Sequence, residues 1–96
     1  MDVRGVILLE NFSQIHPRAK RPLKRWLDIM RSSEFRSFAE LRRTFGSVDC
    51  VGDLTVFNIS GNHFRLVVLV NYIASEASVW GVYTHDEYTK LIVRKK

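Results

Sequence analysis

Between Phe64 and Ile73 the chain reads FRLVVLVNYI, and no other stretch limits its possible folds as much. Both alternating sets of positions are apolar: Phe64, Leu66, Val68, Val70 and Tyr72 in one, Val67, Leu69 and Ile73 in the other. Side chains of a strand point alternately to its two faces, so a strand of this kind has to be covered on both. It belongs in the centre of a sheet. On either side, LTVFNI (Leu54–Ile59) and SVWGVY (Ser78–Tyr83) carry the same β-branched and aromatic bias. The link Ser60–His63 holds Gly61 and Asn62, which tolerate the positive φ of a hairpin turn, and Ala74–Ala77 is a second tight connection. These three segments predict an antiparallel meander.

Ahead of Gly52 the apolar period is near four. Val3–Leu9 reads as a short opening strand running into a helix through Ile15, which Pro17 stops. Pro22 sits where a first-turn proline is tolerated, and Leu23, Trp26, Leu27 and Met30 follow at helical spacing. Lys20, Arg21, Lys24, Arg25 and Arg31 take the other side, giving an amphipathic helix with a basic outer face. A third helix opens at Ser37 with a capping box to Glu40, buries Phe38, Leu41 and Phe45, and ends at Gly46. The expected class is α+β: N-terminal helices packed on a small antiparallel sheet, with a short C-terminal helix, in one domain over residues 1–96.

Composition narrows the function. A single cysteine, Cys50, excludes an internal disulfide and reads as a small buried hydrophobe. Three histidines without ligand spacing give no expectation of a metal or cofactor. The apolar run near the N-terminus is broken by Glu10 and Asn11, too short for a membrane span, so a cytoplasmic protein is expected. Net charge is +5, and Arg18–Arg43 holds nine basic residues against three acids. With Arg94, Lys95 and Lys96 near the other end, such clustering fits either an anionic partner such as nucleic acid or solvated helix faces.

Arg65 is the exception in the central strand, on the same face as Val67 and Leu69. An arginine near a core either pairs with a carboxylate, here Asp49, Asp53 or Glu87, or waits for an anion. The second possibility draws on YTHDEYTKL (Tyr83–Leu91). Thr84 and Glu87 form a capping box, and the helix they start puts His85 and Tyr88 one turn apart. An antiparallel neighbour ending at Tyr83 brings that pair towards Arg65 and the turn carrying His63. A fixed cation, imidazoles and a phenol suit metal-free cleavage of an RNA phosphodiester, in which charge builds on phosphorus and two protons move. Lys90 lies nearby, as a phosphate contact or as an exposed partner of Asp86.

Two stretches, VFNISGNHFRLVVLVNY and YTHDEYTKL, resemble the HigB family of toxins, messenger-RNA interferases related to RelE. Val56, Phe57, Asn58, Ile59, Gly61, Asn62, Arg65, Leu66 and Val67 fit the first family pattern; Thr84, His85, Glu87, Tyr88 and Lys90 fit the second. PLKRWLDIM and FGSVDCVGD look like the family's second helix and its approach to the sheet, so the resemblance covers nearly the whole chain. It implies a toxin of a type II toxin–antitoxin module, an endoribonuclease that cuts messages on the ribosome and is neutralised by a HigA-like helix-turn-helix antitoxin. Arg65, His85, Tyr88, Lys90 and His63 are then the catalytic candidates. Asn62, Lys20, Lys24, Arg25, Arg31, Arg94 and Lys95 are the candidates for holding RNA. The chain departs from the pattern at Ser60, His63, Tyr83 and Thr89, where the family usually has glycine, lysine, glycine and aspartate. Two other readings share the fold: a ParE-like inhibitor of gyrase, and a basic RNA- or ribosome-binding module without activity.

Overall fold

The computed structural model describes the backbone of residues 1–94 and the side chains of residues 1–91. A short strand, β1 (Asp2–Arg4), leads into helix α1 (Val6–Ile15). Between them Gly5 has φ 83°, and a Cβ there would lie 3.0 Å from the carbonyl oxygen of Val79. Both the backbone conformation and the space demand glycine. The expected opening strand is therefore shorter than Val3–Leu9, because α1 starts at Val6.

After a single 3₁₀ turn at Pro17–Ala19 come α2 (Lys20–Ser32) and α3 (Phe38–Thr44). α2 buries Leu23, Trp26 and Met30 and leaves Lys20, Arg21, Lys24, Arg25 and Arg31 exposed, as its spacing requires. The Ser37 hydroxyl accepts the Glu40 N–H at 3.2 Å, and the Glu40 carboxylate accepts the Arg36 N–H at 3.1 Å.

Four more strands follow: β2 (Asp49–Val51), β3 (Leu54–Ile59), β4 (Phe64–Asn71) and β5 (Glu76–Thr84), then helix α4 (His85–Arg94). The sheet order is β1-β5-β4-β3-β2, so β4 is central, as its two apolar faces predict. β2 through β5 form the antiparallel part. β1 adds a parallel edge beside β5, pairing Val3 with Ala77, which makes the sheet mixed.

The helices α1–α3 cover one face. Trp26 meets Phe57 edge-on at 5.4 Å, and Phe57 meets Phe45 at 5.0 Å. Leu66, Val68, Ile59 and Val79 complete this core. On the other face Val56 and Val67 are buried outside the main core. Coverage of that face is incomplete: Leu69 is exposed, and Ile73, in the turn after β4, is fully so. Cys50 is also exposed, on the edge strand β2, and not a core residue as expected. Desolvation, then the Asp49 carboxylate, pushes its thiol pKa up.

Candidate active site

Alternation along β4 decides where Arg65 goes. Phe64 and Leu66 enter the core under the helices, so Arg65 between them faces the opposite side, flanked across the sheet by Asn58 and Tyr83. β5 ends one residue past Tyr83, and the chain turns into α4 there. Thr84 Oγ1 accepts the Glu87 N–H at 3.2 Å, while the Glu87 carboxylate accepts the Thr84 N–H at 2.8 Å. This is the reciprocal cap read from the sequence. The His85 N–H donates to the His63 carbonyl at 3.0 Å, tying the start of α4 to the β3–β4 turn.

Folded back in this way, α4 sets His85 and Tyr88 over Arg65. Arg65 Nη2 lies 3.2 Å from His85 Nδ1, and Nη1 donates to the Phe64 carbonyl at 3.2 Å. The Tyr88 ring centre is 5.9 Å from the guanidinium carbon, within cation–π range. A guanidinium only donates, so this contact makes Nδ1 the acceptor and leaves Nε2 to carry the ring proton. Desolvation and then the Asp49 carboxylate raise the Tyr88 phenol above its ordinary pKa, and Arg65 opposes them. At neutral pH the phenol is an O–H donor in any case, and the shift acts in the same direction.

None of Asp49, Asp53 and Glu87 pairs with Arg65; the ion pairs among the described residues are Arg4 with Asp2 and Glu76, and Lys24 with Asp28. Glu87 is held in the cap instead. Arg65 is thus a half-buried cation whose contacts are a carbonyl, an imidazole and an aromatic face. Such a group is free to exchange its partners for an oxyanion.

The other candidates are spread more widely. His63 reaches the cluster through its main chain, and its exposed ring lies beside Phe64 at 6.2 Å. Asn62 is exposed at the turn tip, and Lys90 is exposed on α4, two residues beyond Tyr88 and off its face. Lys20, Lys24, Arg25 and Arg31 lie exposed on α2, with the sheet between them and Arg65. The side chain of Arg94, and all of Lys95, lie outside the described residues.

Two contributors are read from the sequence only in other roles, Asp49 as a possible ion-pair partner of Arg65 and Tyr83 as a strand end, and not as site residues. Asp49 reaches Tyr88 electrostatically from β2, a strand too short to show a period. Tyr83 sits opposite Arg65 and folds back along β5, so that a Cβ on Gly81 would meet its hydroxyl at 2.6 Å. Its face parity with Arg65 was readable from the meander.

A fixed cation, a hydrogen-bonded imidazole and a protonated phenol can hold a phosphate and move protons beside it. Among the described residues no group of His, Cys, Asp and Glu could hold a metal ion, and no helix is long and apolar enough to cross a membrane. Comparison with curated proteins returned no match. The family model for HigB toxins, the RelE-like toxic component of a toxin–antitoxin system, matches residues 19–91, from the approach to α2 into α4 and across Arg65, His85 and Tyr88. The chain belongs to the HigB toxin family.

Proposed function

We propose that this toxin is a metal-independent endoribonuclease that cuts messenger RNA on the ribosome and so blocks translation in the cytoplasm. The observation that carries this reading is the Arg65–His85–Tyr88 cluster, in which the arginine has no carboxylate partner among the described residues. A phosphate entering the site takes the guanidinium, in the bidentate manner that arginine favours. Losing its donor then frees His85 Nδ1 to accept the proton of a ribose 2′-OH. The 2′-oxygen bonds to phosphorus as the bond to the 5′-oxygen breaks, and Tyr88 is placed to protonate the departing oxygen. The products are a 2′,3′-cyclic phosphate and a 5′-hydroxyl, with no co-reactant needed. Arg65 stabilises the extra charge that develops on the phosphate between these states.

Around this centre we assign Lys90 and Asn62 to the RNA backbone beyond the scissile group, and His63 to an auxiliary role. The basic face of α2 (Lys20, Lys24, Arg25, Arg31) lies across the sheet from the site, which suits contact with ribosomal RNA while the other face meets the message. Residues 1–96 act as one domain, and the antitoxin is of the HigA-like helix-turn-helix type. The test is incubation of the purified protein with translating ribosomes and, separately, with naked message, followed by mapping of new ends. Ends carrying 2′,3′-cyclic phosphate and 5′-hydroxyl, absent with His85→Gln, are the expected result. Translation arrest without new ends, or a topoisomerase defect instead, would overturn the assignment.

A further inference from the structure

The face that carries Arg65 continues past the cluster, and its pairing with β5 is irregular there. Val67 sits opposite Gly81 but Val68 sits opposite Val79, so Trp80 is the extra residue of a β-bulge. Val79 enters the core on the helix side, and its neighbour Trp80 therefore projects to the Arg65 face. The indole is 60% exposed. Leu69, opposite Ser78 and on the same face, is 39% exposed. β1 pairs with β5 only at Glu76–Ser78, so no neighbouring strand crowds the indole from the outer edge among the described residues.

We propose that Trp80 is a stacking platform for one nucleobase of single-stranded RNA, on a nucleotide neighbouring the phosphate that Arg65 holds. The inference rests on the ribonuclease reading for the identity of its ligand. Trp80 lies three residues back along β5 from Tyr83, the cross-strand partner of Arg65, or about 10 Å at the rise of a strand. The aromatic face and the guanidinium are thus on one continuous surface, one matched to a base and the other to the anionic backbone. Every base has a π-face, and aromatic side chains presented on a sheet are a standard means of capturing unpaired ones. A bulge at this point also has a use, since an extra residue re-aims the side chain. Tyr83 is not a second platform of the same kind, because its ring lies back over Gly81.

The test uses the whole protein and a short, fully 2′-O-methylated oligoribonucleotide, which can bind but cannot be cut. Trp80→Ala should weaken binding by about tenfold, and Trp80→Phe should restore most of it, as stacking on an aromatic face requires. The same oligonucleotide without bases should bind the wild type and Trp80→Ala equally. Thermal melts of both variants should match the wild type, since the indole is outside the core. Equal binding by Trp80→Ala, or an equal loss with the baseless strand, overturns the proposal. So does unchanged RNA binding with weakened capture of the antitoxin, which would give the indole to a protein partner. Base-dependent binding through Trp80 in a protein that never cuts RNA would defeat the catalytic reading and leave this one standing.

Discussion

Arg65→Ala distinguishes a strut from a waiting anion site, because the two roles differ in what the substitution leaves behind. Truncation removes a 3.2 Å hydrogen bond to the Phe64 carbonyl, a 3.2 Å contact with His85 Nδ1 and a cation–π contact with Tyr88. The bond to Phe64 is part-buried and the contact with His85 exposed, so water can replace the lost donors, and the combined loss should be about 1 kcal/mol. For a chain of this size that is a fall in melting temperature of roughly 4–8 °C. A strut paired with a buried carboxylate would instead strand a charge and cost about 3–5 kcal/mol. Urea unfolding resolves that gap, with the fluorescence of Trp26, packed on Phe57, reporting the core. Message cleavage by the same preparation should fall by about 10²–10³-fold, the usual loss on deleting one preorganised donor to the transition state. Arg65→Lys should recover little, since an ammonium cannot replace the planar fork. A stability loss of 3 kcal/mol or more on that scale, or cleavage near the wild-type rate, refutes the reasoning.

Three further outcomes follow from the same geometry. Thr84→Ala removes one half of the cap on α4 and should cost about 1 kcal/mol; cleavage should suffer too, because that cap sets the helix carrying His85 and Tyr88. The Tyr88 phenol is raised above 10.0 by desolvation first and Asp49 second, so the fold prefers its neutral form. That preference is intact below pH 10.0 and is lost as pH rises through the raised value, so the stability of wild type relative to Tyr88→Phe should be flat at neutral pH and decline only above pH 10.0, as read by urea midpoints. Lys20→Glu combined with Arg25→Glu should lower the log–log salt slope of ribosome binding by about two, with cleavage of short naked RNA unchanged, because the sheet separates α2 from Arg65.

Local patterns carried most of what the sequence revealed. The two-residue period of β3, β4 and β5 and the four-residue period of α2 reflect burial on known faces, and each is written in consecutive side chains. The same parity put Arg65 on the face where α4 returns, and a capping box fixed where α4 begins. Three features escaped, each because its cause lies far along the chain. β2 is exposed at every position and exists only as the hairpin partner of β3. An opening strand was expected, but the three-residue length of β1 and its parallel pairing with β5 have no local signature. Trp80 looked like one more strand apolar residue, since a bulge is a mismatch between two strands and not a property of either. The basic residues of α2 were legible as a face, but their separation from Arg65 needed the layer order.

The parallel pairing of β1 with β5 also sets a timetable. Asp2 finds its neighbour at Glu76, so the outer edge of the sheet cannot close until that much chain has been synthesised. α1 and α2 emerge first, with Leu9, Leu23 and Trp26 still lacking the strands that will cover them. Arg65 emerges among them as an ordinary solvated side chain. It meets His85 and Tyr88 only once β5 has paired with β4 and the chain beyond Thr84 has turned back. On the ribonuclease reading proposed above, this order would spare the template being read, since the Arg65–His85–Tyr88 cluster cannot assemble until codon 88 has been passed.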